Sequence, residues 1–179
     1  EWRVKSAWRK PIVRSELSAE SSLLSNDCSD LSDHDMNNSD NRSDHVEVHT
    51  NSIVHPNAVL DSGVQIGPFC VIGDCRVGSG TMIHPNVVIA DGVKIGQDTE
   101  IFPGALIGKE PKGAGALARP TAFQKVVKVG AGCSIGPNVV IYYDVEIGNF
   151  TLIGDSASIR EQCRIGDNCV ISRCVTINY

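Results

Sequence analysis

Aromatic side chains are scarce, at 5% of the 179 residues, with only two Trp among them. That excludes a core packed around rings and leaves Val, Ile and small residues to build any interior. Long apolar runs are missing too, since none approaches the roughly 20 residues a membrane-spanning helix requires. The chain opens at Glu1 without a signal-peptide pattern. No Gly-rich phosphate loop stands between a strand and a helix, which removes a nucleotidyltransferase catalytic domain. Closely set His of the kind that hold zinc are absent, and so is a repeated row of outward Thr that could bind ice. A formal charge of −5 argues against nucleic acid as a partner.

What is present is a beat. Aliphatic residues recur at Val54, Leu60, Ile66, Ile72, Val77, Ile83, Ile89, Ile95, Ile101 and Ile107, and again at Val129, Ile135, Ile141, Ile147, Ile153, Ile159, Ile165, Ile171 and Ile177. Every step within each run is six, except for a step of five from Ile72 to Val77. On a helix turning about 100° per residue, such a period scatters the side chains over several faces. In extended chain an even period keeps them all on one side. Gly follows the aliphatic in ten of the nineteen cases, which suits the conformations and close approaches of tight corners. Short strands and turns therefore repeat, each too small to bury its own core, and stacking the turns of a coil buries one.

A second register agrees with the first. Two positions before the aliphatic sits a small or β-branched residue, as at Val64, Thr81, Val87, Thr99, Ala105, Val139, Thr151 and Ala157. Alternation sends it to the same inward side. Cys70, Cys75, Cys133, Cys163 and Cys169 hold this place, so they read as small buried apolar groups rather than metal ligands. Only Cys28 and Cys174 fall outside it, and no disulfide or metal is expected; the usage fits a reducing compartment.

The stretches "VHPNAVLDSGVQIGPFCVIG" and "IHPNVVIADGVKIGQDTEIFPGALIG" resemble the hexapeptide-repeat acyltransferases, a superfamily of left-handed parallel β-helices. The nearest resemblance is to bacterial UDP-N-acetylglucosamine acyltransferases of lipid A synthesis and related sugar N- and O-acyltransferases. It implies an all-β solenoid over 51–179 with three hexads per coil, so about six coils. It also implies a homotrimer with sites in the clefts between prisms, and acyl transfer from acyl-CoA or acyl-carrier protein to a sugar or nucleotide sugar, with no cofactor. The resemblance implies a cytoplasmic protein. A non-catalytic trimeric scaffold, or the solenoid domain of a sugar nucleotidyltransferase, is the alternative.

Acyl transfer in this superfamily depends on a His that takes a proton from the attacking group. His34, His45 and His49 lie in the N-terminal segment, where no defined geometry is expected. His55 and His84 each follow an inward aliphatic in an "HPN" corner. His84, in mid-solenoid, is the catalytic candidate, although the resemblance implies a substrate contact at this place and puts the base in a later coil. No His occurs in 129–179, which offers Tyr142, Tyr143, Asp144, Arg160, Glu161 and Arg173 instead. The chain stops at Tyr179 without a helical cap and reads as a fragment.

The beat falls silent over 108–128, where Lys109, Lys112, Arg119, Lys125 and Lys128 face a single Glu110. Such an insertion is uncommon in a compact repeat unless it serves a function or is disordered, and a solvated, merely tolerated loop is the alternative. Lys109, Lys112, Arg119 and Lys125 are the substrate-binding candidates, with Lys112 and Arg119 expected on phosphates. Residues 1–50 form a separate segment. A basic head holding both Trp precedes a stretch, 15–50, with nine acidic residues, nine Ser and one Arg, whose composition predicts disorder.

Overall fold

The computed structural model describes residues 45–112 and 122–178. These form twenty short strands, numbered here in chain order, which build three parallel sheets. The first sheet stacks β1 (Glu47–Val48), β4 (Gln65–Ile66), β7 (Met82–Ile83), β10 (Glu100–Ile101), β13 (Ser134–Ile135), β16 (Leu152–Ile153) and β19 (Val170–Ile171). The second stacks β2 (Ile53–Val54), β5 (Val71–Ile72), β8 (Val88–Ile89), β11 (Leu106–Lys109), β14 (Val140–Tyr142), β17 (Ser158–Ile159) and β20 (Thr176–Ile177). The third stacks β3 (Val59–Leu60), β6 (Arg76–Val77), β9 (Val93–Ile95), β12 (Val127–Val129), β15 (Val145–Ile147) and β18 (Arg164–Ile165). The chain visits the sheets in rotation, so each strand pairs with the strand one turn away and the whole is a parallel β-solenoid. Among the described residues, no helix is long and apolar enough to cross a membrane.

The inward beat is the core. Ile66, Ile83, Ile101, Ile135 and Ile153 of the first sheet are fully buried, as are Ile72, Ile89, Ile107, Ile141 and Ile159 of the second. Burying each such side chain contributes about 1.5–3 kcal/mol. The small register is inward as expected, with Cys70, Cys75, Cys133 and Cys163 buried as free thiols; Cys169, near the end of the coil, is half-buried. Desolvation raises the pKa of all four buried thiols, and pushes Cys75 up to about 12.

Buried hydroxyls in this register join one turn to the next. Ser52 Oγ donates to Gly67 O at 2.7 Å, Thr81 Oγ1 to Gly96 O at 3.0 Å, Thr99 Oγ1 to Gly130 O at 3.1 Å and Thr151 Oγ1 to Gly166 O at 3.0 Å. Each also accepts an amide N–H from the following turn, which satisfies corner peptides that strand ladders do not reach.

Three expectations need correction. There are about seven turns, not six, because β1 lies inside the segment assigned to the tail and pairs in register with β4. Val48 is thus the first beat, hidden by its acidic surroundings, and His49 belongs to the coil. The interruption is shorter than expected, since β11 runs to Lys109 and β12 begins at Val127. The corner glycines meet the expected close approaches, but the left-handed conformation mostly falls elsewhere. The left-handed place is the residue just before the small inward one, and ten non-Gly residues adopt it, Asn86, Asn138 and Phe150 among them, at φ between 53 and 63°. Gly after the aliphatic answers to space instead, and of these glycines Gly108 alone also has a positive φ, 91°. A Cβ on Gly96 would stand 2.5 Å from Ala131 N, and one on Gly130 would stand 2.6 Å from Asn149 N, both in the next turn.

Candidate functional site

The three corner columns differ in what they carry. The column from third to first sheet has Gly78, Gly96, Gly130, Gly148 and Gly166 directly after the aliphatic. Backbone packs on backbone there; the first turn of this column departs, with Asp61 after Leu60 reaching Arg76 at 3.4 Å. The columns on either side of the second sheet carry the chemistry.

His84 stands in the corner from first to second sheet. Its ring stacks on Phe102, one turn along, with centroids 4.9 Å apart and planes at 9°. Nε2 lies 2.8 Å from Glu100 Oε1, so the ring is held by a face and by an edge while its side chain stays 29% exposed.

The other column, from second to third sheet, holds the loop root. Lys109 ends β11 with Nζ 5.0 Å from the centre of the Tyr142 ring, and Arg160 brings its guanidinium carbon to 4.6 Å from the same ring. Two cations thus converge on one aromatic group. Arg160 also makes two hydrogen bonds to Glu161, at 2.8 and 3.0 Å. Glu161 is almost wholly buried, and those bonds hold its carboxyl below the usual range. The ion pair therefore fixes the guanidinium against the Tyr142 ring.

Beneath the loop, Tyr143 fills the gap that the departing chain leaves. Its buried phenol donates to Asp91 O at 2.8 Å, and its ring edge lies against Gly108, whose φ of 91° and missing Cβ make the room. Burial pushes the phenol above its ordinary value. Phe123 stacks over it, with centroids 6.0 Å apart. Lys125 caps this stack, 5.7 Å from the Tyr143 ring, and bonds Glu110 at 3.1 Å, a contact that raises the lysine's pKa. Gln162 Nε2 donates to Ala122 O, and Asp144 N donates to Val126 O. The returning end of the loop is therefore tied to the coil.

Of the residues expected to bind substrate, Lys109 and Lys125 meet at this root, though each on its own tyrosine. Lys112 is exposed at the start of the loop and makes no ion pair among the described residues. Arg119 lies outside the described residues. His84 belongs to the opposite edge of the second sheet, so a single chain does not bring it to the lysines. Tyr142, Tyr143, Arg160 and Glu161 do meet at the loop root, whereas Asp144 turns to Arg164 at 3.3 Å. Glu100, Phe102, Asp91 and Phe123 were not foreseen. One turn usually spans eighteen residues, and that offset alone would have paired His84 with Phe102 and Tyr142 with Arg160. No group of three or more His, Cys, Asp or Glu that could hold a metal occurs among the described residues.

Comparison with known proteins agrees with this architecture. The family model described as bacterial transferase hexapeptide (six repeats) matches residues 74–109 and 144–179. The acyl-[acyl-carrier-protein]–UDP-N-acetylglucosamine O-acyltransferase of Thermodesulfovibrio yellowstonii is 34% identical over 139 residues, covering 73% of this chain and 52% of its own length. The enzyme of the same name from Mesorhizobium japonicum is 27% identical over 127 residues, covering 70% of this chain and 44% of its own. The chain thus spans about half the length of the curated relatives it matches. Among solved structures, the UDP-N-acetylglucosamine acyltransferase of Francisella novicida superposes with a TM-score of 0.59 at 23% identity, over 73% of this chain and 56% of that one. The acetyltransferase domain of PglB from Neisseria gonorrhoeae gives 0.61 at 17% identity, over 73% and 55%. These two likenesses are of fold. With its repeat, its three-sheet coil and these relatives, the chain belongs to the hexapeptide-repeat transferase family.

Proposed function

We propose that the protein is an acyltransferase that moves an acyl group from a thioester, carried by coenzyme A or an acyl-carrier protein, to a hydroxyl of a nucleotide sugar. The observation that carries this reading is the 34% identity, over 139 residues, to an enzyme named for that reaction. In this scheme His84 takes the proton of the attacking hydroxyl. The oxygen adds to the thioester carbonyl, the C–S bond breaks, and the leaving thiolate recovers the proton as the ester forms. The cations at the loop root, Lys109 and Arg160, with Lys112 on the loop, hold the phosphates. Buried free thiols suit the cytoplasm, where such thioesters are made.

A homotrimer accounts for the separation of these groups. The outward residues of β2, β5, β8, β11 and β14 are Ile53, Val71, Val88, Leu106 and Val140, an apolar column five strands long on the second sheet. Isolated exposed aliphatics are ordinary, but a continuous column is a contact surface. Packing through this face brings the His84 edge of one copy towards the loop-root edge of the next. The test is direct. The chain, acyl-carrier thioester or acyl-CoA, and UDP-N-acetylglucosamine are incubated, and the acylated sugar is sought by mass spectrometry. Product with one donor supports the reading; no product with either overturns it. An Ile53→Asp, Val71→Asp pair is expected to lower the mass seen by light scattering from trimer to monomer.

A further inference from the structure

We infer that Lys125 and Glu110 form a positioning pair that aims Lys112 at the phosphates, and that Lys125 is not itself a phosphate ligand. The inference rests on the acyl-transfer reading. Four cations were expected to bind substrate at the excursion from the coil, and the described ones are not equivalent. Lys109 lies on the Tyr142 ring. Lys112 is exposed and makes no ion pair among the described residues. Lys125 is committed: its Nζ lies 3.1 Å from Glu110 Oε1 and 5.7 Å from the centre of the Tyr143 ring. Fifteen residues separate the partners, so the ion pair joins the chain that leaves the coil to the chain that returns.

Both partners stand on fixed ground. On the returning side, the Lys125 carbonyl lies against Gly92, where a Cβ would strike its oxygen. Phe123, two residues earlier, stacks on the buried Tyr143 with planes at 10°. On the outgoing side, Tyr143 N donates to Lys109 O at 3.0 Å, just before Glu110. The link from Glu110 to Lys112 is short and stiff. Pro111 between them is buried, its ring fixes its own φ, and it confines Glu110 to extended conformations. Holding the carboxylate therefore aims the backbone at Lys112. The pair itself is solvated, with side chains 56% and 47% exposed, so losing it costs a modest factor and spares the fold.

The experiment uses the full chain with Glu110→Gln, Lys125→Gln, and the exchanged pair Glu110→Lys with Lys125→Glu. Transfer from acyl-carrier thioester or acyl-CoA to UDP-N-acetylglucosamine gives kcat and KM for each substrate. NMR relaxation gives the backbone order at Lys112. Glu110→Gln carries the sharpest contrast. If the carboxylate only repels phosphate, removing its charge lowers KM; if it aims Lys112, KM rises. We expect a rise of about 2- to 5-fold for the substrate whose phosphates Lys112 meets, with kcat nearly unchanged. Order at Lys112 should fall, and Lys125→Gln should do the same. The exchanged pair rebuilds the contact with its charges reversed, and should return KM to within about 2-fold of native. With a carboxylate at position 125, no such recovery occurs if Lys125 itself holds phosphate. In a Lys112→Ala background, Glu110→Gln should raise KM no further. A fall or no change in KM for Glu110→Gln, no recovery in the exchanged pair, or a further rise in that background overturns the assignment. If no protein transfers acyl groups, the acyl-transfer reading fails, while the order at Lys112 still decides whether the pair positions it.

Discussion

One side of this prism is sealed and the other is furnished. On the sealed side, the corner from third to first sheet repeats Gly five times, and at four of them, Gly78, Gly96, Gly130 and Gly148, the next turn lies so close that even a methyl group has no place. The third sheet beside it shows water a charged face of Arg76, Lys94, Lys128, Glu146 and Arg164. On the furnished side, both corners of the second sheet admit large groups, His84 and Phe102 at one edge, Tyr142 and Arg160 at the other, around an apolar face. Most corners share one coil conformation, with a left-handed residue just before the small inward one. What differs is the residue after each inward aliphatic, and that single position decides whether a corner is structural or can hold chemistry.

The sharpest way to break the contrast is to add one methyl to the sealed corner. Gly96→Ala should destabilise by about 3 kcal/mol or more, because the clash is with backbone that cannot swing away. Ala90→Gly, at a furnished corner, should cost about 1 kcal/mol or less. Equal losses, by chemical denaturation, would erase the distinction.

Next in size is alkaline lability, which belongs to the core that both sides share. The four buried thiols are raised by desolvation, so their stabilisation is complete below the unfolded thiol value of 9.0. It is lost as pH climbs through the native values, which for Cys75 means towards about 12. Melting temperature should therefore fall steadily above about pH 9. Replacing Cys75 with Ala should flatten that fall.

Tyr143→Phe removes the phenol that bridges to Asp91 O and leaves the carbonyl without that donor. We expect a loss of about 1–3 kcal/mol, with proteolysis of the loop increasing, since its root stacks on this ring. An unchanged cleavage rate would mean that the loop is held elsewhere.

The smallest effect is a gain on the charged face. Arg76, Lys94 and Lys128 stand in register on neighbouring strands, like charges side by side. Lys94→Glu should alternate the signs and stabilise by about 0.2–1 kcal/mol, less at high salt.

Much of the fold was legible because a solenoid writes each turn in a local period. Ile66 and Ile72 are beats whatever surrounds them, and Thr81 or Cys133 two places earlier confirms the side. Val48 escaped because it closes a long stretch rich in Ser and acidic residues, although its six-residue distance from Val54 is the ordinary one. The candidate site was read less completely. His84 and Lys109 stood out as residue types, but Glu100 and Phe102 become meaningful only when strands a turn apart are superposed. Tyr143 looked like a polar group of a later coil, and its burial follows from an absence, the chain that leaves at Gly108.

The corner between the second and third sheets has one further property. At Gly73–Asp74 it is a residue short, yet Leu60 and Val77 still pair in register across it. At residues 110–126 the same column admits a long excursion, and Lys94 and Lys128 pair across it without a slip. Deletion and insertion have both been absorbed along one edge; the third sheet kept its phase throughout, and β11 took up one register shift against β14, between Ile107 and Lys109. That edge is a seam open to evolutionary tinkering. New loops could be grafted there, at Gly92 or Gln162 for example, and the lineage could revise what it recognises without rewriting how it folds.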